Sequence, residues 1–227
     1  MEFPDFSILI ATKDRPGSMR NLLRSVAQST VRPKSIVVVS SGCPIDDVIS
    51  EFNESLKINY FHSEITGQVN QKKLGISRIQ KEIPWVLFLD DDLLLEPKAV
   101  EKAFETLDKF RSVGEDVLGI GLGLTPTSRM KRTSHIQNFI GRVLRLSSGT
   151  PGKVIRSGQG VSYLESSKPI YTEWLNGASM WKTESALGYT NFVPSSSYAA
   201  CEDLVFSYQQ FKKGKLLFAP NAKVLFQ

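Results

Sequence analysis

Three consecutive aspartates, Asp90, Asp91 and Asp92, are the residues of this sequence whose types and spacing best suit chemistry. They directly follow residues 85–89, a short apolar run typical of a strand buried on both faces. Adjacent carboxylates repel one another, so at a strand end they need a cation or several hydrogen-bond donors. Because Mg²⁺ and Mn²⁺ prefer oxygen ligands and combine one or two carboxylates with ligand phosphates, the cluster predicts a divalent-metal site. The alternative is a solvated acidic turn at a helix start.

The composition excludes other kinds of metal or redox site. Two widely separated cysteines, Cys43 and Cys201, support neither a disulfide framework nor a zinc ribbon. Two histidines, His62 and His135, are too few for a His-rich site, so any metal must have oxygen ligands. The formal net charge of +5 is unevenly distributed, because residues 117–164 contain seven basic residues and no acidic ones. This local positive charge predicts a phosphate-bearing ligand or an anionic surface.

Alternating strand-like and helix-like segments must position these side chains. Apolar runs typical of strands occur at residues 6–11, 36–39, 58–61, 85–89 and 117–124. Helical periodicity lies between several of them, at residues 19–27, 67–79 and 97–110. The alternation predicts an α/β fold with a single Rossmann-like, mostly parallel central sheet flanked by helices. In such a sheet the ligand binds at the carboxyl ends of the strands, which is where the aspartates fall.

The second half of the sequence is less regular. Residues 125–169 form a basic, irregular insertion for which we predict loops and one short helix around 136–146. A strand-like segment at 171–181 with a break at Gly177, a helix at 204–211 and strands at 215–219 and 223–226 are expected to follow. A chain of 227 residues that is 41% apolar can form one large domain. The N-terminus does not resemble a secretory signal, and the apolar runs are too short to span a bilayer, so we expect a cytoplasmic protein.

Four short segments carry a family resemblance. They are residues 6–16 (FSILIATKDRP), 36–42 (IVVVSSG), 88–92 (FLDDD) and 201–204 (CEDL). Their order resembles that of family 2 glycosyltransferases, and the likeness extends from residue 6 to about residue 224. The resemblance implies the A-type glycosyltransferase (GT-A) fold and one catalytic domain over residues 1–227. Within it, residues 1–124 would bind the nucleotide sugar, and residues 125–227, with the flexible basic segment 125–169, would bind the acceptor.

The resemblance also assigns residues to the nucleotide. Its base and ribose would be received by the loop Thr12, Lys13, Asp14 and Arg15; the alternative is a turn in which Asp14 caps the next helix. Ser40 stands where the family commonly has an aspartate that contacts the base, so the identity of the base stays open. Lys72 or Lys73 lies near a basic family position that faces the diphosphate; the alternative for these lysines is a solvated helix face.

The catalytic assignments follow from the same resemblance. Asp90 and Asp91 would contact the nucleotide sugar, and Asp92 would bind the metal with Asp90 supporting it. Of the acidic pair Glu202–Asp203, Asp203 would be the general base and invert the anomeric carbon; the alternative is an acidic helix start. Trp174 and Gly177 would lie under the sugars, although Trp174 is also a candidate core aromatic. Gln227 stands where many relatives have a metal-binding histidine and would be a weaker ligand.

These assignments predict an enzyme that uses Mn²⁺ or Mg²⁺ to move a sugar from a nucleoside-diphosphate sugar to an acceptor hydroxyl in cell-surface polysaccharide or glycolipid synthesis. Two alternatives stay open: a nucleotidyltransferase, and a non-catalytic nucleotide-sugar-binding relative. The expected acceptor is a saccharide or a lipid-linked or phosphate-bearing molecule, and no nucleic acid is expected as a partner. The basic segment predicts peripheral contact with the cytoplasmic membrane face; the alternative is a loop that closes over the donor diphosphate.

Overall fold

The N-terminal half of the chain forms the parallel part of a central sheet. The computed structural model describes residues 2–111, 114, 116–125, 150–192 and 201–227. Four strands come first: β1 (Phe6–Lys13), β2 (Ser35–Ser41), β3 (Ile58–His62) and β4 (Trp85–Asp90). They lie in the order β3-β2-β1-β4 and pair in parallel throughout. Their carboxyl ends therefore meet at one edge of the sheet, as the sequence predicts.

Later strands extend this sheet with mixed directions. They are β5 (Leu93–Leu95), β6 (Val117–Thr125), β7 (Ile170–Thr172), β8 (Ser179–Lys182) and β9 (Lys215–Phe226). Beyond β4 the order continues β8-β6-β9-β5, with β7 also pairing with β9. Strand β8 is antiparallel to both β4 and β6, β9 is parallel to β6, and β5 and β7 run antiparallel to β9. The predicted α/β fold is confirmed, and antiparallel strands complete the sheet.

Helices cover both faces of the sheet. They are α1 (Pro16–Ala27), α2 (Asp46–Ser50), α3 (Gln68–Ile76), α4 (Ala99–Arg111), α5 (Thr183–Leu187), α6 (Tyr189–Phe192) and α7 (Glu202–Phe211). Two separate apolar clusters result, because successive strand residues point to opposite faces: Ile8 and Ile10 belong to one cluster and Leu9 to the other. Within the described ranges, no helix combines the length and apolar character that crossing a bilayer requires.

The structure differs from the predicted elements in several respects. The two expected C-terminal strands are one strand, β9, with a bulge opposite the Leu122–Gly123 step. The segment 171–181, expected to be broken at Gly177, contains two short strands, β7 and β8, joined by a loop that includes Gly177. Strand β5 and helices α2, α5 and α6 were not predicted. The helix expected at 136–146 lies outside the described residues.

Candidate active site

A cleft of about 800 Å³ opens at the carboxyl ends of β1 and β4. Its walls are the loop after β1, the first turn of α3, and all three aspartates after β4. Thr12, Lys13, Asp14 and Arg15 all contribute to the lining. The structure therefore brings the predicted nucleotide loop and the predicted metal cluster to one cavity. The alternative of a solvated acidic turn does not hold for Asp91, which is only 7% exposed.

Asp91 is held on both carboxylate oxygens. The Thr12 hydroxyl donates to its Oδ2 at 2.6 Å, and the Arg15 guanidinium donates to its Oδ1 at 2.9 Å. Both bonds are charge-assisted, because the acceptor is a carboxylate. Asp91 thus fixes the loop after β1 against the end of β4.

Asp92 carries the least satisfied carboxylate of the three. It is about half exposed, and Arg15 Nη1 lies 3.7 Å from its Oδ2. Burial, together with the negative charges of Asp90 and Asp91, raises the pKa of Asp92 above its ordinary value. A divalent cation bound to this carboxylate would offset both its loss of solvation and the repulsion from its neighbours.

The donor set fits a metal that takes part of its coordination from a bound phosphate. Among the described residues, no three His, Cys, Asp or Glu side chains converge to hold an ion unaided. Magnesium-type sites typically use one or two carboxylates and complete their shell with water and substrate phosphates. Asp92 at the rim of the cleft meets this requirement.

The Asp90 carboxylate contacts two side chains of α3. Its Oδ1 accepts a hydrogen bond from Gln68 Nε2 at 2.7 Å and lies 3.6 Å from Lys72 Nζ. Its Oδ2 packs directly on the backbone of Gly177, where an added Cβ would lie 2.0 Å away. The space beside Gly177 is thus filled by the Asp90 carboxylate, and the role of Gly177 toward the sugars stays a prediction.

Gly177→Ala is expected to lower the free energy of unfolding by about 1–3 kcal/mol, because the new methyl group overlaps Asp90 and forces it to move. Gly17→Ala is the matched control, since its added Cβ would meet nothing within 4 Å. Thermal denaturation of both variants checks the prediction. Equal melting temperatures for the two variants would contradict it.

Lys72 is a buried cation that joins three carboxylates. Its side chain is 2% exposed, and Nζ lies 3.1 Å from Glu202 Oε1 and 3.3 Å from Asp203 Oδ1, in addition to Asp90. Burial opposes the charged form, but the three negative charges prevail and raise the pKa of Lys72 well above its ordinary value. The predicted alternative of a solvated helix face is wrong for Lys72. This lysine links α3, β4 and α7 in one ion cluster.

Asp203 is the carboxylate of this cluster with the most perturbed pKa. Burial raises its pKa to about 7, with Lys72 opposing and the charges of Asp90 and Glu202 adding to the rise. Its side chain is 28% exposed, so a ligand can reach it. Asp203 and Glu202 lie in the first turn of α7, where the helix dipole favours negative charge. The acidic pair therefore opens the helix and also contacts Lys72.

Asp14 joins two loops instead of capping a helix. Its carboxylate accepts a hydrogen bond from the backbone N–H of Cys43 at 2.8 Å and pairs with Lys13 at 3.0 Å. The N-cap residue of α1 is Arg15, which makes no side-chain cap, so the capping alternative for Asp14 is wrong. Gly42, at φ 77°, lets Asp14 approach, since a Cβ there would lie 2.1 Å from the Asp14 carboxylate.

Ser40 and Trp174 are not among the described residues that line the cleft. Ser40 is buried, and its hydroxyl pairs with Tyr60 OH at 2.7 Å and His62 Nδ1 at 3.0 Å. The Trp174 indole donates to Val161 O at 3.1 Å, and its ring packs 5.0 Å from the ring of Tyr163. Their roles toward base and sugar stay predictions.

Two glutamines on α3 were not predicted as site residues. Gln68 holds Asp90, and the buried Gln71 donates to the backbone carbonyls of Thr12 and Val39, which ties α3 to the ends of β1 and β2. Gln68, Gln71 and Lys72 are spaced i, i+3, i+4 and so share one helix face. The polar side chains on this face of α3 were the sequence signal from which the two glutamines could have been identified as site residues.

The side chain of Gln227 forms hydrogen bonds with α1 and with the segment after β4. Its amide nitrogen donates to Ser18 O at 3.0 Å and to Asp91 O at 3.2 Å. Its side-chain carbonyl, considered above as a weak metal ligand, accepts a hydrogen bond from Asn21 at 3.1 Å. In this structure that oxygen is therefore engaged away from the carboxylates.

Three solved structures share this fold. The crystal structure of S. aureus TarS 1-349 is 13% identical with a TM-score of 0.65, and the match covers 98% of this chain and 60% of that one. The mannosyltransferase PcManGT from Pyrobaculum calidifontis, in complex with GDP-Man and Mn²⁺, is 13% identical with a TM-score of 0.64, covering 99% and 57%. GalNAc-T7 with UDP, GalNAc and Mn²⁺ is 14% identical with a TM-score of 0.65, covering 99% and 44%. The chain thus spans less than two thirds of each protein's length.

The sequence itself matches a family model over most of its length. The match to "Glycosyl transferase family 2" covers residues 7–167. A sequence search among curated proteins gives no match. The matched range contains the loop 12–15 and the three aspartates, which line the cleft, and Lys72, which is buried beside Asp90. The chain belongs to family 2 of the glycosyltransferases and has their GT-A fold.

Proposed function

We propose that the chain is a metal-dependent inverting glycosyltransferase that moves a sugar from a nucleoside-diphosphate sugar to an acceptor hydroxyl. The observation that carries the proposal is the Lys72 ion cluster. Through it, Asp203, a carboxylate with a pKa near neutrality, is held next to the aspartates that line the cleft. A base of this pKa is well matched to removing a hydroxyl proton at physiological pH.

The residues divide into two groups around the reacting carbon. The loop 12–15, fixed by Asp91, binds the nucleotide, and Asp203 accepts the proton of the acceptor hydroxyl. The acceptor oxygen then bonds to the anomeric carbon while the bond from that carbon to the diphosphate breaks. With the base on the face opposite the leaving group, a single displacement inverts the anomeric carbon.

Asp92 would hold the divalent ion, with Asp90 behind it. When bound, the ion supplies positive charge that neutralises the leaving diphosphate. The contribution of the chain is to keep Asp92 at the rim with spare coordinating capacity, as its raised pKa and half-exposed carboxylate support. Two of the structural neighbours are Mn²⁺ complexes.

Turnover of nucleotide sugars tests the proposal. We expect release of nucleoside diphosphate from UDP-GlcNAc, GDP-mannose or a related donor when Mn²⁺ or Mg²⁺ is present, and none in EDTA. Proton NMR of the transfer product should show the inverted anomer. Pyrophosphate release from a nucleoside triphosphate and a sugar phosphate would indicate a nucleotidyltransferase instead. Binding of the nucleotide with metal, without turnover of any donor, would indicate a non-catalytic relative.

The rate of transfer is expected to fall as the pH drops through about 7, because Asp203 must be ionised to accept a proton and its pKa lies near that value. The acid limb should therefore lie well above the range of an ordinary aspartate. Values of kcat/KM measured from pH 5 to 9 check this, since they report the free enzyme. An acid limb near pH 4 would contradict the assignment of Asp203 as the base.

We also propose a lipid-linked or phosphate-bearing acceptor at the cytoplasmic membrane face, in cell-surface polysaccharide or glycolipid synthesis. Support comes from the sequence, because most of the basic segment lies outside the described residues. Of its three described cations, Lys153 pairs with Glu173 at 2.7 Å, while Arg156 and Lys168 are exposed. Co-sedimentation with vesicles should increase with their anionic lipid content. Equal binding to neutral vesicles would refute the membrane contact.

A further inference from the structure

Tyr189 on α6 carries a buried hydroxyl that the mechanism above does not use. The residue is 0% exposed, and its hydroxyl has no hydrogen-bond partner among the described residues. A buried hydroxyl without a partner destabilises a fold, and phenylalanine would fill the same space without that cost. We therefore expect this hydroxyl to have a role that the hydrogen bonds of the unliganded structure do not show.

The ring of Tyr189 packs between the elements that carry the acidic side chains. Its centroid lies 6.0 Å from that of Phe88, nearly perpendicular, and 5.2 Å from that of Phe206. Phe88 lies on β4 two residues before Asp90, and Phe206 lies on α7 three residues after Asp203. Helix α6 also packs against α3, the helix of Lys72. Tyr189 thus adjoins every element of the Lys72 ion cluster.

The electrostatics of the site make Tyr189 a neutral donor. Burial raises the pKa of its hydroxyl far above the ordinary value, so the proton is retained. The charges of Lys72, Glu202 and Asp203 all act on this hydroxyl. Both carboxylates bind Lys72 through one oxygen each, which leaves the second oxygen of each carboxylate as a potential acceptor.

We propose that Tyr189 is a positioning residue for Asp203, whose hydroxyl donates a hydrogen bond to the Glu202–Asp203 pair once nucleotide sugar and acceptor fill the cleft. This hydrogen bond holds the Asp203 carboxylate toward the acceptor hydroxyl. It forms only when the substrates are bound. This inference rests on the proposed function and adds a residue to it.

Tyr189→Phe tests the inference, because it keeps the ring and its packing and removes only the hydroxyl. We expect kcat for transfer to fall at least about tenfold, because Asp203 is no longer precisely positioned. The KM for the nucleotide sugar should stay within about twofold of wild type, since the loop 12–15 is untouched. The melting temperature should be unchanged or higher, because an unpaired buried hydroxyl is lost.

Tyr208→Phe is the matched control. Tyr208 lies on the same helix as Asp203, but its ring stacks on Phe211 under Lys212, and we expect wild-type kcat from the variant. Transfer by the wild-type protein establishes the proposed function independently of Tyr189. If Tyr189→Phe then matches wild type in kcat, or loses kcat only together with melting temperature, the positioning role is overturned.

Discussion

Asp203→Asn is expected to lower kcat for sugar transfer by at least about a hundredfold, because the amide cannot accept the proton of the acceptor hydroxyl. Nucleotide binding should survive, since the loop 12–15 and Asp91 make their contacts without Asp203. Initial rates with saturating nucleotide sugar and Mn²⁺, together with calorimetric titration of the nucleoside diphosphate, check both halves of the prediction.

The fold should tolerate this substitution. Because the pKa of Asp203 is raised to about 7 in the folded protein, above its ordinary 3.8, ionisation of the residue costs folding free energy. That cost grows as the pH rises from about 4 to 7 and is fully present above 7. A neutral amide of the same shape removes it, while Glu202 and Asp90 still compensate Lys72. The melting temperature at pH 8 should therefore equal or exceed that of the wild type.

Asp108→Asn is the control for the chemistry, since Asp108 is an exposed residue of α4. It should transfer sugar at the wild-type rate. Undiminished kcat in Asp203→Asn would remove Asp203 as the base and leave Glu202 as the carboxylate to examine. Loss of nucleotide binding in the same variant would show that the Lys72 ion cluster and the loop 12–15 do not act independently in binding the nucleotide.

Lys72→Met is expected to destabilise the protein by about 3–5 kcal/mol, because it leaves three carboxylates around a buried site without their shared cation. For a chain of this size that corresponds to a fall in melting temperature of roughly 6–20 °C. Turnover should fall as well, since Lys72 connects Asp203 to Asp90. Differential scanning calorimetry gives the melting temperature directly.

The destabilisation should depend on pH. Without Lys72, which opposes the rise, the pKa of Asp203 should lie further above its unfolded value, so stability is retained at low pH and lost as the pH rises through the folded-state pKa. The gap between variant and wild type should therefore be smaller at pH 5 than at pH 8. Lys81→Met, at an exposed position after α3, is the control and should change stability by less than about 0.5 kcal/mol. A difference in stability between Lys72→Met and wild type that does not change with pH would argue against the lost charge pairing as its cause.

The regular parts of the fold were predictable because local pattern determines them. Strands β1, β2 and β4 are continuous apolar runs covered on both faces, which sequence periodicity detects directly. Strand β5 was missed because it has three residues and exists through pairing with Leu225 and its neighbours, far along the chain. The single strand β9 was predicted as two because Pro220 suggests a break, whereas the sheet accommodates it as a bulge opposite Gly123.

The site was predictable where it depends on strand ends and not where it depends on distant partners. The cleft position follows from the carboxyl ends of parallel strands, and Asp90, Asp91 and Asp92 lie there. The burial of Lys72 was not predictable, since its partners come from β4 and α7, far apart in sequence. The contact between Gly177 and Asp90 was likewise hidden, because it depends on how the loop before β8 folds back on β4.

Calorimetric titration of UDP, GDP and dTDP into the protein, with Mn²⁺ or with EDTA, most directly tests whether the aspartates at this sheet edge recruit a dication and through it a diphosphate. We predict that one of the nucleotides binds tightly in Mn²⁺ and that its binding is lost both in EDTA and in an Asp92→Asn variant with Mn²⁺. Equal affinity in EDTA, or in Asp92→Asn with Mn²⁺, would contradict the account.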